Sequence, residues 1–254
     1  MYIMFRGLGL LLLFASVITS PLFAQKGKSS ARKTSATLSK KPSTENQSSG
    51  QVVSKERLVE ITTDYGVMVA KLYDSTPLHR DNFIKLVEQK FYDSLLFHRV
   101  INQFMIQGGD PTSKNAADSA FLGGTSAPGN RIPAEFKPYF FHKKGALAAA
   151  RDDNPEKASS SSQFYIVQGK VLSPADLDKV FNARVKPSNP SFNYTDTQKE
   201  IYSRIGGAPF LDQNYTVFGE VISGLDVIDK IAQVPKDASD RPLQNVRMKI
   251  RMLN

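Results

Sequence analysis

An antiparallel β-barrel or sandwich with two flanking helices is the fold class that this chain predicts. Strand-like runs recur from residue 57 onward, two apolar stripes at helical spacing stand apart, and no regular βαβ alternation is present. The 254 residues can bury one sizeable core and still leave tails.

The first stretch lies outside that core. Arg6 precedes the apolar run Leu8-Gly9-Leu10-Leu11-Leu12-Leu13-Phe14-Ala15, which Ser16, Thr19, Ser20 and Pro21 break before Ala24. A basic residue, an apolar stretch of about ten residues and a small residue at the end describe a secretory signal peptide. The stretch is short for a membrane span, which needs ~20 apolar residues. Cleavage after Ala24 (leader 1–24) is expected, with an uncleaved N-terminal anchor as the alternative, because Leu22 is not the small residue expected two before the cut. The mature protein is then exported and periplasmic, with no stable membrane insertion. Residues 25–54 are nearly all Lys, Ser, Thr, Gln, Ala and Gly, a composition that cannot bury enough apolar surface to offset ordering entropy, so a disordered linker is expected. Leader and linker carry seven basic residues against Glu45 alone, so of the net charge of +9 only +3 belongs to residues 55–254. So small an excess predicts no nucleic-acid partner.

The domain at 55–254 opens on two β-rich runs, 57–63 and 67–73, around Asp64-Tyr65-Gly66, which is a hairpin with a turn glycine. Ser75-Thr76-Pro77 supplies a cap followed by Pro at the first helical position, and Phe83, Leu86, Val87 and Phe91 give that helix one apolar stripe. Strand-like runs follow at 95–101, 103–107, 146–150, 163–168 and 216–222. A short helix from about 224 to 232 is expected to bury Leu225, Ile228 and Ile231, and the closing strand 245–253 places Val246, Met248, Ile250 and Met252 on one face.

Composition excludes much chemistry. With no Cys there is no thiol nucleophile, CxxC redox pair, disulfide or thiolate zinc site. His79, His98 and His142 lie far apart and form no HxxxH or HxH pair, so neither metal nor cofactor is expected. No nucleophile with its base, carboxylate pair or phosphate-cradling glycine loop is evident. Four segments nonetheless concentrate polar and aromatic residues inside strand-like runs: 97–111, 145–151, 159–167 and 209–219. In the first, a bend at Asn102-Gln103 would bring Arg99 near Phe104 and Gln107 beside an apolar surface; on spacing alone Arg99 reads first as a rim salt bridge.

Taken in order, these segments resemble the cyclophilin family of peptidyl-prolyl cis/trans isomerases. FHRVINQFMIQGGDPT at 97–112, GALAAAR at 145–151, SQFYIV at 162–167 and TVFGEVISGLDVIDKI at 216–231 are similar to four motifs of that family, in the family's order. The resemblance implies a closed eight-stranded antiparallel β-barrel capped by two α-helices. It also implies a monomeric chaperone of bacterial exported proteins that accelerates X-Pro isomerisation in proline-containing peptides and unfolded chains. Arg99 matches the family's catalytic Arg. Phe104, Met105 and Gln107 match pocket residues, Ala150 and Arg151 a backbone-binding edge, Gln163 a substrate-binding Gln, and Phe210 and Leu211 the pocket wall. Phe164 or Tyr165 completes the apolar seat, with Tyr215 beside it. The alternative is a non-catalytic cyclophilin-fold peptide-binding module.

Three positions depart from the family pattern. Tyr165 stands where Phe is usual, so its hydroxyl needs a partner. Tyr215 stands where His is common, and Phe210 replaces the Trp of cyclosporin-sensitive members, which implies weak binding of that drug. A larger departure is an insertion at about 170–208, with a short helix expected after Ser173-Pro174 around Ala175, Leu177, Val180 and Phe181, loop over 184–195, and a second helix beginning near 197–202. Beside the Phe210-Leu211 wall it could gate the pocket, bind a client, or be a tolerated surface elaboration.

Overall fold

The computed structural model describes residues 57–253; the expected leader at 1–24 and linker at 25–54 lie outside the described residues. Strands β1 (Arg57–Thr63) and β2 (Gly66–Leu72) form the expected hairpin, with Thr63 opposite Gly66 at the turn. The Thr63 hydroxyl donates to Gly66 O at 3.0 Å and accepts from Tyr65 N at 3.1 Å, so the turn closes on its own side chain.

Six further strands complete one antiparallel sheet: β3 (Phe97–Ile101), β4 (Met105–Gly108), β5 (Ala146–Ala149), β6 (Phe164–Val167), β7 (Val217–Ser223) and β8 (Met248–Leu253). Their order is β3-β4-β6-β5-β7-β2-β1-β8. The sheet curls until its edges meet: Leu96 bridges Arg247, Phe97 N donates to Val246 O and Met248 N to Leu95 O, each at 2.9 Å. Closure therefore comes through residues just before β3 and around the start of β8, with no continuous ladder between those strands.

Inside the curl, alternate residues of every strand form one core that includes Val59, Ile61, Met68, Val100, Ile106, Leu147, Phe164, Ile166 and Ile250. Helix α1 (Pro77–Glu88) lays Phe83, Leu86 and Val87 on it. Its cap differs from expectation. The Thr76 side chain makes no capping bond; Glu135 reaches the helix start from a distant loop and accepts from Leu78 N at 3.1 Å and His79 N at 3.0 Å. The last helix, α4 (Leu225–Ala232), follows Gly224 in the left-handed region (φ +82°) and buries Ile228 and Ile231 as expected, together with Val227 and Ala232, while Leu225, expected in the core, stays 37% exposed at the first turn.

The insertion folds around its own small core. Helices α2 (Pro174–Val180) and α3 (Asp196–Arg204) are capped by Ser173 and by a Thr195/Gln198 capping box. Leu177, Val185, Phe192, Tyr194 and Tyr202 are buried together with Phe141 and Leu172, whereas Ala175 is exposed. The span expected as loop thus supplies three core residues, Val185, Phe192 and Tyr194. At its base Gly207 has no room for a side chain: a Cβ there would lie 2.3 Å from His142 O and 2.5 Å from the Tyr202 ring.

Candidate active site

Sheet register builds the site. On the outer face of the curl, Arg99 pairs with Gln107, Gln107 with Tyr165, and Tyr165 with Ala148, so one row of side chains crosses β3, β4, β6 and β5. The turn between β3 and β4, with Gln103 in the left-handed region (φ +61°), swings Phe104 in beside Met105. The result is a cavity of about 180 Å³ lined by Arg99, Phe104, Met105, Gln107, Ala150, Arg151, Tyr165, Leu211 and Tyr215. No Ser, Thr or carboxylate lines it. Ala148 and Ala150, being small, leave room above the row.

Nine of the sequence-predicted residues thus meet in one cavity, and three do not. Phe164 faces the barrel core, fully buried against Phe83, Tyr92 and Phe97. Adjacent strand residues point to opposite faces, so with Tyr165 outward Phe164 must be inward, and of the two only Tyr165 reaches the cavity. Phe210 lies outside the lining, 37% exposed, with its ring 5.2 Å from that of Phe104. Gln163 stands one layer behind: its Nε2 donates to Gly123 O at 2.9 Å and Thr125 O at 2.7 Å, and its Oε1 accepts from Gln107 Nε2 at 3.0 Å. Its amide holds Gln107 and the 123–125 rim in place.

Polar groups that remain free in the cavity define what it can do. The Arg99 Nε lies 3.5 Å from Asp240 Oδ2, so the rim ion pair exists. The two outer guanidinium nitrogens make no hydrogen bond among the described residues. Ala150 N donates to Gln163 O at 2.9 Å and Ala150 O accepts from Ser160 N at 2.8 Å, which uses both of its backbone groups. Arg151 is the open edge: its own N–H and C=O are unpaired among the described residues. Its side chain is held away, Nε on Asn214 O at 3.0 Å and the guanidinium 4.6 Å over the Tyr215 ring.

Sequence reasoning missed the groups that hold this arrangement. Asp110 is fully buried and accepts from Thr112 Oγ1 and Gly123 N at 2.6 Å and from Thr112 N at 2.8 Å. Burial alone would raise its pKa; the bonds from Thr112, Gly123 and Thr125 outweigh that and lower it. His98, beside Arg99, is pushed down to about pKa 4 by burial and is neutral at pH 7. Tyr165 finds the partner its hydroxyl requires: His142 Nε2 at 2.9 Å, with His142 Nδ1 2.7 Å from Asp212 Oδ1. Burial, Tyr215 and the Asp212 charge together hold the Tyr165 hydroxyl well above the usual phenol range. The one available signal was a Tyr where Phe is usual, on an apolar strand, whose hydroxyl demands a polar neighbour. Among the described residues no group of three or more His, Asp or Glu is placed to hold a metal ion.

An apolar patch, a guanidinium whose outer nitrogens make no hydrogen bond and a free backbone edge meet in this cavity. Comparison with known proteins places the chain in a family. Residues 58–251 match the family described as cyclophilin type peptidyl-prolyl cis-trans isomerase/CLD, and the chain belongs to that family. Two relatives carry the name "Putative peptidyl-prolyl cis-trans isomerase". One, from Staphylococcus haemolyticus, is 33% identical over 77% of this chain and 90% of its own length. Another, from Staphylococcus aureus strain USA300, is 34% identical over 77% of this chain and 91% of its own. Among solved structures, a Cryptosporidium parvum cyclophilin type isomerase shares the fold at a TM-score of 0.56 and 24% identity, covering 78% of this chain and 98% of that one. The same protein crystallised in the presence of the dipeptide Ala-Pro gives a TM-score of 0.55.

Proposed function

We propose that this chain accelerates cis/trans exchange of X-Pro bonds in exported proteins as they fold, with Arg99 as the catalytic residue. Rotation about the amide meets a barrier of ~18–20 kcal/mol because the bond is conjugated. No covalent bond breaks, so a cavity without nucleophile or carboxylate suits the task. Tyr165, Met105, Phe104 and Leu211 seat the proline ring, and the Arg151 backbone aligns the flanking chain. In the twisted state the proline nitrogen regains a lone pair. A guanidinium donating to it stabilises the transition state more than either ground state, which is what raises rate. The observation that carries this reading is the pair of outer nitrogens of Arg99, making no hydrogen bond, at an apolar seat of proline size. The Ala-Pro dipeptide present with the Cryptosporidium relative supports the substrate class.

NMR exchange of a short Ala-Pro peptide tests the reading. The full chain accelerates exchange, and Arg99→Ala loses ~10²–10³ of it. A folded chain with no effect on exchange that still binds the peptide would establish the non-catalytic binding module instead.

Export rests on the leader at 1–24. Residues 1–54 fused to a phosphatase active only outside the cytoplasm should yield active enzyme in a bacterial host. N-terminal sequencing of that product then separates cleavage after Ala24 from a retained anchor, and an inactive fusion removes export from the proposal.

A further inference from the structure

Asp212 follows the wall residue Leu211 directly and is fully buried. Its carboxylate accepts four hydrogen bonds: His142 N at 2.8 Å and His142 Nδ1 at 2.7 Å on Oδ1, and the Tyr194 and Tyr202 hydroxyls, both at 2.6 Å, on Oδ2. The two tyrosines belong to the insertion; the histidine leads to the pocket floor. An acceptor-only carboxylate at Nδ1 makes that nitrogen the donor, which leaves Nε2 to accept from the Tyr165 hydroxyl. The tyrosine proton is thereby drawn to the back of the ring, and the cavity meets only its carbon face. One buried path therefore runs Tyr194 and Tyr202 to Asp212, to His142, to Tyr165. Asp212 also anchors the end of the 3-10 turn Pro209–Leu211 that carries the wall.

A gate needs a loose contact, and the insertion is instead bonded to the barrel. Lys144 N donates to Gly206 O at 3.0 Å, Ala208 N to His142 O at 2.8 Å, and Gln198 Nε2 to Pro138 O at 2.9 Å. A solvated elaboration would equally have no use for two tyrosine hydroxyls spent on one buried carboxylate beneath the site.

We propose that the insertion sets the proline seat: Tyr194 and Tyr202 are positioning residues that act through Asp212 and His142 on the floor ring of Tyr165. The proposal rests on the isomerase reading and deepens it. The seat binds the proline ring in ground and transition states alike, so disturbing it raises KM, whereas losing Arg99 lowers kcat.

The test uses the full chain, the Ala-Pro peptide exchange at several peptide concentrations, and thermal unfolding of each variant. Tyr202→Phe is expected to raise KM roughly tenfold, the scale of one hydrogen bond to a charged group, with kcat within about twofold. In a Tyr165→Phe background, where the path has lost its last member, Tyr202→Phe should add less than about twofold. Phe192→Leu, which loosens the insertion core without touching Asp212, should lower Tm and leave KM unchanged. KM effects of Tyr202→Phe and Tyr165→Phe that multiply in full would overturn the proposal. So would a Tyr202→Phe protein with a lowered Tm and an unaltered KM. If Tyr202→Phe does not fold, Tyr194→Phe is read by the same criteria, since Tyr202 then still holds Asp212. A wild-type chain that fails to accelerate exchange removes the isomerase reading only. Peptide affinity by NMR titration then replaces KM: a tenfold weakening in Tyr202→Phe supports the positioning role and an unchanged affinity overturns it.

Discussion

Arg99 carries two interactions at once, and a single substitution separates them. Its Nε faces Asp240, whose other carboxylate oxygen takes Lys236 Nζ at 2.6 Å, while its outer nitrogens stay with the cavity. Arg99→Lys keeps a cation for Asp240 but loses the planar fork. If the fork donates to the proline nitrogen, Arg99→Lys falls within a few-fold of Arg99→Ala in kcat; a rate near wild type would assign Arg99 to the rim ion pair alone. Neither change should shift stability by more than about 0.5 kcal/mol, since the pair is partly exposed and long. Asp110 works by a different route, tying the Gly123–Thr125 rim to the strand end. Asp110→Asn replaces an acceptor-only carboxylate with a group that must aim a donor at N–H groups, and should cost about 1–3 kcal/mol in urea unfolding. The sequence showed Arg99 and its pocket neighbours, because each lies in a recognisable motif. It did not show Asp110, His142 or Asp212 as working groups, because, apart from Thr112 beside Asp110, their partners are 10 to 70 residues away.

The alternation of a strand decides which of two adjacent residues can reach a site, and Phe164 and Tyr165 are the case in point. Both were legible as aromatics of one motif; only the register with Gln107 shows that Tyr165 faces outward. The close approach at Gly109 belongs to this scale. Gly109 has φ +93°, and a Cβ there would lie 2.2 Å from Ser162 O, where the β4 end crosses the Ser-rich loop. Gly109→Ala should therefore destabilise by ~2–4 kcal/mol, read as a lower urea midpoint at unchanged m-value. Helix α1 offers a milder test. Removing the Glu135 cap by Glu135→Ala should cost about 1–2 kcal/mol, more than Thr76→Ala, because the remote carboxylate and not the local hydroxyl satisfies the first N–H groups.

For the molecule as a whole, burial of His98 and His79 contributes to the acid limb of stability. His98 titrates near pH 6.5 when unfolded but at about 4 when folded, and burial lowers His79 as well. Between those values the unfolded chain binds more protons, so stability falls as the pH drops from about 6.5 to about 4. Urea midpoints measured across that range should decline steeply in the wild type and less steeply in His98→Gln; equal slopes would show that His98 is not the titrating group. Period-2 patterning was enough to predict a strand-dominated barrel or sandwich with two flanking helices, and the resemblance of four motifs, in order, to the cyclophilin family nominated Arg99 with its pocket. These are properties of neighbours along the chain, where side-chain direction follows from backbone geometry. The tertiary structure alone decided that Gln163 stands behind Gln107, that the Arg151 backbone is the free edge, and that the insertion reaches the pocket floor through Asp212. Each of those is a pairing across strands or across the insertion, set by sheet register and by which buried polar group finds which partner, and no local pattern in a sequence encodes that choice.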